Sequence, residues 1–197
     1  MEPSILQPEL AAQIADLYDR MEKAYDIVAS QLDFTCDGCP DNCCDSYFQH
    51  HTYVEWAYLW VGLMELEPAR RKGMENRAAE YAAACEAALA RGERPQVMCP
   101  LNEAGRCGLY RHRLMICRMH GVPSSLTFPN GKTQKFPGCF RCQELVAGRP
   151  AAPTVERASL FRELVALEQE LLGENQGVLP KVKKTIADMI LLGPPRL

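Results

Sequence analysis

The chain has no GxGxxG and no Walker-type glycine loop, so no nucleotide-binding fold is signalled, and it has no HExxH pair to form a helical zinc site. Its longest apolar run, residues 56–64, is too short to cross a bilayer. The stretch Met1-Glu2-Pro3-Ser4-Ile5-Leu6-Gln7 has neither the basic region nor the apolar core of a secretory signal. The expectation is a cytoplasmic protein with no membrane partner, in a compartment where disulfides are disfavoured. Internal repeats and low-complexity tracts are missing. Acidic residues are absent between Glu103 and Glu144, and no cysteine follows Cys142. A formal net charge of −3 offers no global attraction to nucleic acid.

Cysteine, in contrast, is plentiful. Ten thiols in 197 residues are too few for a disulfide scaffold and too many for chance core residues, so metal binding is favoured over disulfides. The densest stretch is Cys36-Asp37-Gly38-Cys39-Pro40-Asp41-Asn42-Cys43-Cys44. Gly38 and Pro40 break any helix, which makes it a tight loop whose sulfurs can converge. Cys99, Cys107, Cys117, Cys139 and Cys142 follow in loop-like, Gly- and Pro-rich surroundings. The nine candidate ligands are therefore Cys36, Cys39, Cys43, Cys44, Cys99, Cys107, Cys117, Cys139 and Cys142. They are expected in one spatial neighbourhood. Cys85, within Ala-Ala-Cys-Glu-Ala, has no partner spacing and reads as a small core residue.

Thiolate sulfur suits zinc, copper(I) and iron–sulfur clusters. Four sulfurs close either a structural zinc site or a cluster, and nine allow two such sites with one spare. His50, His51, His112 and His120 are available substitutes, although each reads first as a surface or hydrogen-bonding residue. Adjacent side chains in extended or turn backbone diverge, so Cys43 and Cys44 serve two centres, or one ligates while the other packs. The second CxxC pair, Cys139-Phe140-Arg141-Cys142, lies a hundred residues after the first. That irregularity favours a cluster, or two centres, over a simple zinc ribbon. The acid-free segment carries Arg106, Arg111, Arg113, Arg118, Lys132, Lys135 and Arg141. Guanidinium groups offset thiolate charge, and this reading ranks ahead of a solvated basic face or an anion-binding rim.

The surrounding pattern is helical. Leu10, Ile14, Leu17, Met21, Tyr25, Val28 and Leu32 form one stripe on a helix over residues 8–32. Thr52-x-x-Glu55 reads as a capping box opening a helix over 53–66 that is apolar on most sides. Pro68 opens another helix, running to about residue 90. Asn130-Gly131 predicts a type I′ hairpin turn. Residues 148–153 read as a linker, followed by a helix on Leu160, Leu164, Leu167 and Leu171 and a last one over 180–192. The expected fold is mainly α, with long helices flanking an irregular cysteine-rich metal-binding core and one short β-hairpin. Residues 1–148 form the metal-binding domain and residues 149–197 a helical extension packing on it.

Cys99-Pro100-Leu101, Gly105-Arg106-Cys107-Gly108-Leu109-Tyr110-Arg111-His112-Arg113 and Cys117-Arg118, set after the cysteine loop, resemble the YkgJ-like cysteine-cluster family. This group is also described as the CxxCxxCC zinc- or iron-chelating domain, and flagellin lysine N-methylase is distant kin. The likeness covers residues 34–142. It departs at the first loop, which reads Cys-x2-Cys-x3-Cys-Cys, and at Leu114, where the family usually has Pro. The resemblance implies that Cys36, Cys39, Cys43, Cys44, Cys99, Cys107 and Cys117 are metal-site positions, with Cys139 or Cys142 completing them. It implies an iron–sulfur cluster or zinc as cofactor. It leaves three functions in view: a fold held together by its metal centre, a redox or methyl-transferring enzyme, and a zinc-stabilised module that binds a protein partner or a small anionic substrate.

Overall fold

A computed structural model describes residues 6–37, 39, 43–149 and 151–197. Gly38 and residues 40–42, which carry part of the expected cysteine loop, and Pro150 of the linker lie outside the described residues. The central element is α2 (Tyr53–Met64). Its sequence, YVEWAYLWVGLM, is apolar all round, and such a helix is stable only when covered on every side. Val54, Ala57 and Tyr58 enter one core with Leu10, Ile14, Leu17, Tyr18 and Met21 of α1 (Pro8–Gln31). Tyr53, Trp56, Leu59, Trp60 and Leu63 enter a second core with Met74, Ala78 and Tyr81 of α3 (Pro68–Ala90). Each fully buried large side chain here contributes about 1.5–3 kcal/mol. The Gly62 position is forced, because a Cβ there would stand 2.4 Å from the His112 ring.

The capping box expected at Thr52 and Glu55 forms differently. Thr52 makes no side-chain cap, and its hydroxyl instead donates to Glu55 Oε2 at 2.8 Å. The first amides of α2, those of Tyr53 and Val54, donate to the two Glu168 carboxylate oxygens at 2.9 and 2.7 Å. Glu168 lies on α6 (Ala158–Leu172), so a tertiary carboxylate has displaced the local cap. Glu55 is thereby released to bind elsewhere. The last helix is also shorter than the 180–192 expected. It is α7 (Ile186–Leu191), opened by a complete capping box between Thr185 and Asp188. The residues before it are extended, with Lys184 paired to His50 through both backbone bonds.

The segment around Cys99 to Phe136 carries short strands and one short helix. β1 (Asn102–Glu103) and β2 (Arg106–Cys107) pair antiparallel around Ala104 and Gly105, which have φ of 50° and 85°. Positive φ at both central residues is the type I′ signature, so that turn occurs here. α4 (Met115–Met119) follows. β3 (Ser124–Thr127) and β4 (Thr133–Phe136) form the hairpin expected near Asn130. Its turn is a different type, since only Gly131 is left-handed, with φ 79°, and its amide donates to the Phe128 carbonyl. The loop is longer than the two residues a type I′ turn requires. After α5 (Phe140–Val146), β5 (Val155–Glu156) adds to β3 in parallel, which makes a three-stranded sheet rather than an isolated hairpin.

The C-terminal residues enter both cores. Leu160, Leu164 and Leu167 of α6 pack with α1, and Ala187, Met189 and Ile190 of α7 pack with α3. Trp56 and Trp60 both donate their indole N–H to the Met189 carbonyl, at 3.1 and 2.8 Å. Among the described residues, no helix is long and apolar enough to cross a membrane. The architecture is mainly α.

Candidate metal centre

Five of the nine candidate thiols line one cavity of about 40 Å³: Cys43, Cys44, Cys99, Cys107 and Cys117. Four separate pieces of chain deliver them. Cys43 and Cys44 lie in a 3-10 turn, Cys43–Asp45. The Cys99 amide donates to the Cys44 carbonyl at 2.9 Å, and Ser46 bridges to Gln96, which ties the second piece to the first. Cys107 ends β2, and Cys117 sits in the middle of α4. Tyr81, Phe48, His50, His112, His120 and Arg113 are among the other residues that line it.

Adjacent Cys43 and Cys44 do not diverge. They share the cavity, because the 3-10 turn replaces the extended backbone that would separate them. Their side chains hydrogen-bond to each other. That bond, ahead of burial, pushes the Cys43 thiol up, and the same bond brings Cys44 down to about 6. Cys99 and Cys107 share another device. Each is the first residue of a Cys-x-Leu turn, and the amides of Leu101 and Leu109 point at the two sulfurs. Both leucines are buried, so the core anchors the donors. Burial pushes Cys99 up to about 12 and raises Cys107 and Cys117 as well, while these amides and Arg113 act in the opposite direction.

Arg113 faces Cys117, Cys107, Cys43 and Cys44. Arg118, which the charge pattern groups with it, does something different. Its buried guanidinium donates to the carbonyls of Arg113, Tyr110 and Arg111 at 2.5, 2.9 and 2.7 Å and stacks over the Tyr18 ring at 4.5 Å. It staples the 3-10 turn Tyr110–His112, and with it the base of Arg113. Leu114 has φ of −68°, a value that proline would also adopt.

The other four candidates gather beside this cavity. The Tyr25 hydroxyl lies 3.8 Å from the Cys36 sulfur and against Gly121, whose carbonyl accepts the Cys139 amide at 3.0 Å. Arg141 hydrogen-bonds to Cys39 and faces Cys139 and Cys36. Cys142 is fully buried in the first core, facing Cys139 and Cys36, with burial pushing its thiol up to about 11. The two groups are neighbours, since Cys36 still adds to the field at Cys43.

Cys85 is buried in the second core and hydrogen-bonds to Tyr81. No disulfide joins the described cysteines. Burial holds His50, His112 and His120 below the usual histidine range. Sequence reasoning gave Glu55 a local capping role only, whereas its buried carboxylate accepts the Tyr18 hydroxyl and the Met115 amide at the start of α4. A lone acid in the apolar helix 53–64 was the available signal. Among the described residues, no three His, Cys, Asp or Glu side chains already converge as metal ligands. The cavity sulfurs stand around a space instead. No family model, no curated protein and no solved structure matches the chain.

Proposed function

We propose that the protein is a thiolate metal-binding protein of the YkgJ-like cysteine-cluster type, carrying an iron–sulfur cluster in the cavity formed by Cys43, Cys44, Cys99, Cys107 and Cys117. One observation carries this reading: five cysteines from four chain segments line a single small cavity, with Arg113 facing four of them. Core packing has no use for such an arrangement. The amides of Leu101 and Leu109 and the Arg113 cation all favour thiolate over thiol, which is the ligand form. The irregular spacing of the cysteines along the chain favours a cluster over a simple zinc ribbon.

A bound cluster supplies electron transfer or a covalent cross-link of the fold. The residues' own contribution is to hold and neutralise it. The β1 and β2 strands and the Cys43–Asp45 turn bury no residue fully, so metal binding energy would act there as folding energy.

The test is anaerobic purification followed by iron and acid-labile sulfide analysis and visible spectroscopy. Brown protein with iron and sulfide is expected. Cys117→Ser should lose both, while Cys85→Ser should keep them at a modest packing cost. A colourless chain that takes up neither iron nor sulfide on reconstitution would sink the proposal.

A further inference from the structure

Asn102 opens β1 in the middle of the cysteine segment. Its backbone amide donates to the Cys99 carbonyl at 2.9 Å, and across the β1–β2 pair it stands opposite Cys107. The Cys99 amide in turn donates to the Cys44 carbonyl. Backbone pairing thus ties Asn102 to three of the five cavity cysteines.

The side chain has a fixed direction. Its Oδ1 accepts the Gly105 amide at 3.0 Å, inside the tight turn where Ala104 and Gly105 both take positive φ. A carboxamide has one acceptor end and one donor end, so this turn bond assigns the oxygen and leaves Nδ2 as the other end. Nδ2 is buried and has no nitrogen or oxygen partner. The group it meets is Cys44, to which the side chain hydrogen-bonds. A buried donor without an acceptor is costly, and native folds keep few of them. Sulfur is a weak acceptor as a thiol and a better one as a thiolate, so the donor is best satisfied when Cys44 is in its ligand form.

From this geometry we infer that Asn102 is a positioning residue of the cysteine centre, whose carboxamide N–H donates to the Cys44 sulfur and through that bond tunes the reduction potential of the centre. The inference rests on the cluster reading above. A donor aimed at a ligand sulfur stabilises the more negative, reduced state of a thiolate-held cluster, so it raises the potential. Arg113 provides a full charge facing four of the sulfurs, and Asn102 adds a neutral dipole to one of them.

Two variants separate the sulfur bond from the turn bond. Asn102→Asp keeps an oxygen for the Gly105 amide and loses the donor, while Asn102→Ala loses both without adding charge. In the iron-loaded protein both should shift the midpoint potential to lower values than the parent's, a change that a purely structural role would not produce. A second measurement needs no iron. Heteronuclear NMR follows the Asn102 side-chain amide protons in the full chain in a diamagnetic form, metal-free or zinc-loaded. Cys44→Ala should shift these protons and speed their exchange with water, and Cys85→Ala should do neither. If a variant loses its iron, the proton measurement decides. The inference is overturned by midpoint potentials equal to the parent's in both variants, or by Asn102 amide protons that do not respond to Cys44→Ala. A chain that holds no iron, but whose protons do respond, sinks the cluster reading and keeps Asn102 as the donor to Cys44.

Discussion

The carboxylate of Glu55 accepts the amide of Met115 at 2.7 Å, across sixty residues of sequence. The same oxygen accepts the Tyr18 hydroxyl at 3.2 Å, and the other accepts the Thr52 hydroxyl at 2.8 Å. One buried acid thus joins α1, the start of α2 and the first turn of α4, which carries Cys117.

Replacing Glu55 by Ala should therefore cost about 3 kcal/mol, because it orphans a buried amide and a buried hydroxyl at once. Glu55→Gln keeps an acceptor for the amide and should cost about 1 kcal/mol. Urea unfolding of the two variants checks this. A Glu55→Ala loss no larger than that of Glu55→Gln would mean that the amide finds another partner.

Arg118 presents the same test for a buried cation. Its planar group reaches three carbonyls that a single ammonium cannot span. Arg118→Lys should lose about 2 kcal/mol in denaturant unfolding, and it should also lower iron retention, since Arg113 and Cys117 flank the stapled turn. Retention unchanged beside lost stability would confine Arg118 to the fold.

His112 contributes to acid sensitivity. Burial, opposed by Glu65, holds it below its ordinary value, so the folded state keeps it neutral where the unfolded chain takes up a proton. Its contribution is fully present above about pH 6.5 and is lost as the pH falls below that value. Unfolding midpoints at about pH 7.5 and about pH 5.5 should differ less in His112→Phe than in the parent. The difference should not vanish, because buried His50 has the same sign.

Two helical glycines separate packing from propensity. Gly62→Ala drives a methyl to 2.4 Å from the His112 ring and should destabilise by about 1–3 kcal/mol. Gly73→Ala meets only the end of the Arg77 side chain, at 3.5 Å, and should stabilise by about 0.5–1 kcal/mol. Thermal melts of both variants check the pair.

The stripe from Leu10 to Val28, the Pro68 start of α3 and the all-round apolar character of residues 53–64 were enough to determine the long helices. Their information is local: period, proline and side-chain type repeat within a few residues of each other. Thiols in Gly- and Pro-rich loops stand out from core composition in the sequence, and five of them line one cavity in the fold. Which acid capped α2 was decided only in three dimensions, where Glu168 arrived from another helix and Glu55 turned to Met115. The turn type at Asn130 and the I′ turn at Ala104 were set by loop length and strand pairing rather than by the dipeptide. The grouping of the cysteines was likewise a matter of tertiary structure. Spacing along the chain separates Cys39 from Cys139 by a hundred residues, whereas the packing of α1 against the Gly121–Cys139 segment brings their neighbourhoods together.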